Sequence, residues 1–360
     1  MKTPFLYQTH ERAGARMGEF AGWRLPIDYG STMREVMAVR RAAGLFDVSH
    51  MGRLEIRGKR ALASLQTVLT NDVERLGDGA GLYTLMCNRG GGIKDDLIVF
   101  RKAADLYGLV VNASNLDKDR GWILDHLEED ARLVDCTPET VLFALQGPKS
   151  AELMEVAGMP ETAQSGRFHF TSGQVAGSDV VASRTGYTGE DGFEITCRSG
   201  DAERVWAALL AAGRPHGLMP CGLAARDVLR MEAGLALYGH EISEETTPVE
   251  AGLMRWVKLD KGDFIGSGAV AATVERGPAR KLVGIEMEGR AVPRPGNLVR
   301  APAGEGRVTS GTFSPTLGRG IAIAYLPPEA AVGETVQVWV HDNPRPGLVR
   351  KLPLYSRKTA

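Results

Sequence analysis

Residues 88–100 read NRGGGIKDDLIVF, from Asn88 to Phe100. Three consecutive glycines, Gly90 to Gly92, make a turn, and the apolar run behind them reads as a strand that opens on two adjacent carboxylates, Asp95 and Asp96. Successive strand residues point to opposite faces, so Asp95 goes with Leu97 and Val99, and Asp96 with Ile98 and Phe100. Neither face is polar, so alternation cannot send both acids to water, and at least one is expected where desolvation is felt. The same parity argues against a dyad: one acid is expected to be functional and the other structural. The plainer alternative is that both finish the turn by accepting backbone N–H bonds.

The same grammar of short strands and glycine turns extends outward. RLEIRG, LIVF and LYGLVVNA read as strands, and NLDKDRGWILDHLEED as a helix with Ile123, Leu124 and Leu127 on its buried side. VLFALQGPKSAELMEVAG reads as a buried strand, a Gly-Pro turn and a helix; SDVVASRTGYTGEDGFEITC reads as two strands around a glycine-rich turn; DAERVWAALLAAG is a helix stopped by Gly213. Nearer the N-terminus, STMREVMAVRRAAG predicts a helix with Ser31 as N-cap, Val36 and Val39 on its buried side, and Gly44 as the stop. Beyond Gly262 no helix is evident. RKLVGIEMEG, NLVRAPAGEGRVTSGTFSP, GRGIAIAYLP and ETVQVWVHD alternate as strands, so the chain from about residue 280 is expected to form a small antiparallel barrel or sandwich.

The whole chain has 360 residues, enough for two or three domains. Its 43% hydrophobic and 24% charged residues exclude wholesale disorder. Lys+Arg 43 against Asp+Glu 44 leaves a net charge of -1, so no global basic excess argues for nucleic acid or an anionic membrane. Glycine, at 44 residues, is well above its usual share of about 7% and clusters at turns. The four cysteines, Cys87, Cys136, Cys197 and Cys221, form no CxxC and read as free thiols of a reducing cytoplasm. MKTPFLYQTHERAG has no apolar segment of signal-peptide length, so a cytoplasmic location is expected.

The motifs of phosphate-loop hydrolysis, zinc proteolysis, serine hydrolysis and dinucleotide redox chemistry are absent. GDGAG at 77–81 has glycine spacing but leads into the strand-like YTLMC, which removes the helix a nucleotide loop requires. The seven histidines show no metal-ligand spacing, so no metal site is expected. Two further concentrations join the paired acids. In SRTGYTGEDGFEI, Glu194 lies between Phe193 and Ile195; facing inward it needs a partner, and its two coplanar oxygens suit the N–C–N edge of a guanidine-like ring such as a pterin. In GLAARDVLRMEAGLALYGHEI, Arg226 and Arg230 are one helical turn apart. They read either as surface ion pairs with Asp227 and Glu232 or, for Arg226, as a fork for a ligand carboxylate.

These stretches, with FAGWRLPIDYG, VMAVRRAAGLFDVSHMG, TND, MCNRGGG, VNASNLDKD, LQGPK and TSGTFSPTLGRGIA, stand in the order and spacing of one family. The chain closely resembles the T-protein family of the glycine cleavage system, essentially end to end. The resemblance implies an α+β fold: a three-domain cloverleaf of mostly antiparallel sheets with flanking helices around a central folate cleft, with a small C-terminal β-barrel or jelly-roll-like domain. The domains implied are residues 1–52 with 137–235, residues 53–136 with 236–279, and residues 280–360. The implied reaction is aminomethyl transfer from the dihydrolipoyl arm of the H-protein to tetrahydrofolate, with release of ammonia and formation of 5,10-methylenetetrahydrofolate. Tetrahydrofolate is the co-substrate and the lipoylated H-protein the partner; no metal, nucleotide cofactor, nucleic acid or membrane is implied.

By motif position Asp96 matches the family's catalytic aspartate, and Glu194 and Arg226 match folate-binding residues. Tyr83, Tyr187 and Arg294 fall among the cleft or active-site residues, with Tyr355 as a further candidate. His50, in FDVSHMG, is read as structural. Two rivals share the fold. One is a folate-dependent demethylase acting on a small N- or S-methyl donor. The other is an iron–sulfur maintenance protein, whose KGCYxGQE-like motif is missing here, where VKLDKGDFIGSGA carries Asp263 and Phe264 and no cysteine.

Overall fold

The computed structural model describes residues 1–357. The chain condenses into two compact units: residues 1–65, 73–83 and 97–227 in the first, and residues 66–72, 84–96 and the remainder from Val228 in the second.

The first unit is built on a six-stranded sheet ordered Phe170–Val175, Ser178–Ser183, Gly192–Arg198, Thr140–Gln146, Ala43–Asp47 and Leu218–Pro220. All its pairs are antiparallel except the last. One face is apolar: Ala43 and Leu45, Val141, Phe143 and Leu145, Val180 and Ala182, and Phe193, Ile195 and Cys197 share a core with Leu153 and Met154 of the helix Ser150–Val156 and with Val205, Trp206 and Leu209 of the helix Ala202–Gly213. Period-two alternation then places Glu194, Ser183 and Gln146 on the opposite face.

A second, five-stranded sheet runs in the order Gly81–Cys87, Ile93–Ala103, Leu106–Val111, Gly52–Arg57 and Arg132–Asp135. The strand predicted from LIVF is thus an eleven-residue strand beginning at Ile93, so both acids lie inside it.

The second unit carries a closed barrel ordered Lys281–Met287, Arg319–Leu326, Gly304–Ser314, Leu298–Ala301, Thr335–Val340 and Asn343–Arg350, sealed by the pairing of its first and last members. Closure leaves no sheet edge to be covered. Val283, Ile285, Met287, Ala322, Ala324, Val336, Val338 and Val349 fill its interior at every second position. The outward Ile321 and Ile323 pack on Met231, Leu282, Leu352 and Leu354.

Four local expectations are corrected. The helix Thr32–Arg41 has Ser31 as its cap, accepting from Arg34 N, and buries Val36 and Val39, but it stops before Gly44. Gly44 lies inside the next strand because a Cβ there would meet Cys221 Sγ and Val39 at 2.6 Å. Gly213 is the last residue of its helix; the left-handed glycine that turns the chain is Gly217, after a short 3-10 turn. The helix Leu116–Leu124 buries Ile123 but leaves Leu124 50% exposed, because it ends there and its last residue escapes the packed stripe. The helix Ser267–Arg276 was not foreseen; it buries only Val270 and Thr273, too sparse a stripe to stand out by periodicity. No helix among the described residues is long and apolar enough to cross a membrane.

Candidate functional site

The glycine turn at residues 90–92 lies wholly within the second unit. Asn88 Oδ1 accepts from Gly90 N at 2.9 Å and Gly92 N at 3.0 Å, and Gly91 sits at φ +82°. A Cβ on Gly92 would meet Glu244 O at 1.8 Å, and Ile93 N donates to Ser243 O and Thr246 O. The turn is therefore pressed against the 243–246 backbone so closely that only glycine fits. Behind it the strand separates the two acids as parity requires: Asp95 is fully buried and Asp96 half-exposed, in line with Ile98.

In the first unit, Glu194 is 8% exposed on the sheet face opposite the apolar core. Its Oε2 accepts from Thr185 Oγ1 at 2.5 Å, and Thr185 is linked to Ser183 Oγ at 3.0 Å. The turn above it is wrapped around the buried amide of Gln146, whose Nε2 donates to Thr185 O at 3.1 Å and whose Oε1 accepts from Thr188 Oγ1 at 3.0 Å. Gly186 is required there, because a Cβ would fall 1.9 Å from Gln146 Oε1. Arg40 clamps the far side, donating to Thr188 O and Glu190 Oε1, both at 2.8 Å, and Arg184 forks onto Asp191 at 3.0 and 2.6 Å. Tyr187 thus projects from a braced loop rather than a free one.

Arg226 comes from the helix Leu223–Glu232. The helix start is set by Glu35, which accepts from Gly222 N at 2.9 Å and Tyr29 N at 2.6 Å, a carboxylate at a helix N-terminus. Burial raises the Glu35 pKa, opposed by those hydrogen bonds. The Arg226 guanidinium carbon lies 4.9 Å from the Tyr187 ring centroid. Burial pushes its pKa below the usual value, with the Glu194 charge, then Tyr187, pulling the other way. Its Nη1 is buried and has no hydrogen-bond partner. A buried charged donor without a protein acceptor is costly, so an oxygen from outside the chain, of water or of a ligand, is favoured there.

His50, also in the first unit, is 3% exposed and set edge-on to Phe20 at 5.8 Å. Burial first, then the Arg226 charge, depress its pKa to about 3, so the imidazole is neutral near pH 7. Its Nδ1 is also without a partner. The segment is rigidly held: Ser49 Oγ donates to Asp47 Oδ1 at 2.5 Å, and Arg53 donates to Ser49 O, Thr137 O and Thr140 O.

Of the sequence candidates, the first unit brings together Glu194, Tyr187 and Arg226; Tyr83 lies half-buried at the last residue of that unit's segment 73–83. Asp96 and Arg294 belong to the second unit. There Arg294 lines a cavity of about 580 Å³ with Arg290, Arg345, His341, Asn343 and Glu288. Tyr355, also in that unit, donates its backbone N–H to Glu232 O at 2.7 Å. Arg230 departs from the surface alternative: it is 1% exposed and donates to Glu241 Oε2 at 2.6 Å and Ser310 Oγ at 2.8 Å. Among the described residues no three or more His, Cys, Asp or Glu side chains are grouped to hold a metal ion.

The GCVT N-terminal domain model matches residues 6–261, and that of the glycine cleavage T-protein C-terminal barrel domain matches residues 280–356. The chain belongs to the glycine cleavage T-protein family. An aminomethyltransferase of Bacillus pumilus is 46% identical over 361 residues, 99% of both chains. One from Symbiobacterium thermophilum is 48% identical over 365 residues, covering 98% of this chain and 97% of that protein. Among solved structures, the glycine cleavage system aminomethyltransferase T of Bartonella henselae superposes with a TM-score of 0.92 at 35% identity, over 98% of each chain. The family match agrees with the barrel expected from about residue 280.

Sequence reasoning passed over Thr185 and Gln146, the groups that orient Glu194 and its turn. A polar residue closing the apolar run VLFALQ was the available signal for Gln146.

Proposed function

We propose that this T-protein family member moves a one-carbon unit from S-aminomethyl-dihydrolipoyl H-protein to tetrahydrofolate. The chain is a tetrahydrofolate-dependent aminomethyltransferase. The observation that carries the reading of the site is the grouping of Glu194, Tyr187 and Arg226, with the Arg226 Nη1 unsatisfied. A pterin presents an N–C–N donor edge beside a ring carbonyl. Glu194 accepts from that edge, Arg226 donates to the carbonyl oxygen, and Tyr187 supports the guanidinium from behind. A ligand carboxylate on Arg226 fits less well, because the Glu194 charge already neighbours it. Tyr83 and Arg294 belong to the proposal by motif position alone.

The transfer balances without redox change. The carbon–nitrogen bond breaks and nitrogen leaves as ammonia; the carbon–sulfur bond breaks and sulfur leaves as thiol; N5 and N10 of the folate each form a bond to carbon and each lose a proton. Those two protons are the ones nitrogen and sulfur take up. We assign Asp96 to the positive charge that develops on carbon and nitrogen: a fixed, half-buried carboxylate stabilises it with no reorganisation at the moment of transfer. Its support is motif position together with its turn outward from the strand that buries Asp95. The division into three domains at residues 52/53, 136/137, 235/236 and 279/280 belongs to the same proposal.

The test is a single turnover of aminomethylated H-protein with tetrahydrofolate, reading ammonia and 5,10-methylenetetrahydrofolate. Asp96→Asn is expected to abolish most turnover while leaving folate affinity within about threefold, since the acid acts on charge that appears only in the transition state. Normal turnover by the variant removes Asp96 from the mechanism. A small N- or S-methyl donor consumed faster than the loaded H-protein transfers the chain to the demethylase class.

A further inference from the structure

Two of the buried polar atoms of the first unit that lack hydrogen-bond partners are Arg226 Nη1 and His50 Nδ1, and the Arg226 charge is felt at the His50 ring. Native interiors pair nearly all such groups, and two orphans coupled through one charge are open to a single absent partner that serves both. They do not serve each other, because neither has a hydrogen bond to any protein atom. The segment cannot easily swing to water either, since Arg53 is bonded to the carbonyl of Ser49 and to Thr137 and Thr140, and His50 is wedged on Phe20.

Tetrahydropterin chemistry identifies the group that fits. The ring carbonyl has an N–H on either side: N3–H in the guanidine-like edge, and N5–H in the peri position across the ring fusion. With the first edge taken by Glu194 and the carbonyl by Arg226, the remaining donor beside that carbonyl is N5–H. We propose that His50 contacts the bound tetrahydrofolate directly, its Nδ1 accepting the hydrogen bond of N5–H while Arg226 donates to the adjacent carbonyl oxygen. This inference rests on the pterin assignment made above and adds His50 to it as a positioning residue for the nucleophile. Aiming the N5 hydrogen at the imidazole turns the nitrogen lone pair toward the incoming carbon. The imidazole stays neutral beside Arg226, so it orients the proton rather than taking it; proton removal is left to the departing nitrogen or sulfur.

The test compares tetrahydrofolate with its 5-deaza analogue, in which carbon replaces N5, by calorimetric titration of the full chain. The native protein is expected to prefer tetrahydrofolate by about tenfold, the worth of one buried hydrogen bond. His50→Phe should erase that preference, and His50→Asn, whose amide oxygen reaches the Nδ1 position, should restore most of it. A merely structural histidine would weaken both ligands alike and leave their ratio unchanged, which overturns the inference. Should His50→Phe fail to fold, the native chain carrying 15N-histidine gives the second readout. The pyridine-type Nδ1 signal of His50 is expected to move upfield with tetrahydrofolate and not with the 5-deaza analogue. An unmoved signal at demonstrated saturation sinks the proposal while leaving the folate site standing. Failure of the native protein to bind tetrahydrofolate at all overturns both.

Discussion

The guanidinium of Arg226 lies over the Tyr187 ring at 4.9 Å, within the field of the Glu194 carboxylate, and still keeps one buried N–H without an acceptor. The free protein therefore bears a cost that a ligand relieves, which separates the effects of substitution on binding and on stability. Arg226→Met is expected to weaken tetrahydrofolate binding by about 1.5–3 kcal/mol, the worth of a hydrogen bond to a charged group. Urea unfolding of the ligand-free chain should show unchanged or raised stability. Arg226→Lys keeps the charge but loses the planar fork and its fit to the ring, and should recover little of the affinity. Equal loss of affinity and of ligand-free stability would mean that Arg226 is a structural residue.

The turn carrying Tyr187 depends on a missing methyl. Gly186→Ala places a carbon 1.9 Å from Gln146 Oε1, an atom already accepting from Thr188 in a fully buried amide. Relief requires moving Gln146 or the turn, so destabilisation of about 1–3 kcal/mol is expected, together with weaker tetrahydrofolate binding as Tyr187 shifts. Gly177→Ala is a useful contrast: its φ of +75° predicts strain, but nothing lies within 4 Å of the added carbon and no ligand-binding loss should accompany it. Urea midpoints and calorimetric affinities for both variants check the distinction.

What was legible in the sequence was whatever local pattern controls. The alternation in GFEITC separated Glu194 from Phe193 and Ile195, and parity put Asp95 and Asp96 on opposite faces of one strand; which of the two is buried came only with the structure. The late strands announced an antiparallel barrel or sandwich because both need only period-two runs and turns; closure into a barrel was decided by the pairing of the first and last strands. What was not legible depended on distant chain. Gly44 looked like a helix stop because its crowding comes from Cys221, 177 positions later. Arg230 looked like surface because Glu241 and Ser310 come from segments that no periodicity joins to its helix. The unsatisfied atoms of His50 and Arg226 were hidden for the same reason: a missing hydrogen bond has no sequence signature.

The Arg230–Glu241 pair is 1% and 0% exposed at its side chains, and Glu241 also accepts from Thr309 Oγ1 and Leu237 N. Removing the cation alone leaves a buried carboxylate uncompensated, so Arg230→Met is expected to cost about 3–5 kcal/mol. Replacing both charges, Arg230→Met with Glu241→Gln, should cost less than the single change, because the neutral amide leaves no uncompensated charge and keeps its acceptor for Thr309, giving up the one for Leu237 N. A double variant as unstable as the sum of its parts would contradict this account. Urea unfolding of the four proteins of the cycle is the measurement.

His50 makes acid stability predictable in sign. Burial and the Arg226 charge lower its pKa to about 3; Asp47 opposes them and Arg53 adds to them. In the unfolded chain the imidazole returns to about 6.5. Between those values the unfolded state holds a proton that the folded state lacks, so acid favours unfolding. This part of the stability is fully present above about pH 6.5 and is lost as pH falls toward about 3, with a limiting slope near 1.4 kcal/mol per pH unit. Carboxylates titrate over part of the same range and would hide the effect in one curve. The informative quantity is the difference in unfolding free energy between the native chain and His50→Asn, in which the other groups largely cancel. That difference should be flat from about pH 7 to 8 and move against the native chain by about 1 kcal/mol or more between pH 6.5 and 5. Parallel curves would mean that His50 is not held neutral by its surroundings. The tautomer able to accept from a ligand N–H would then lose its physical support.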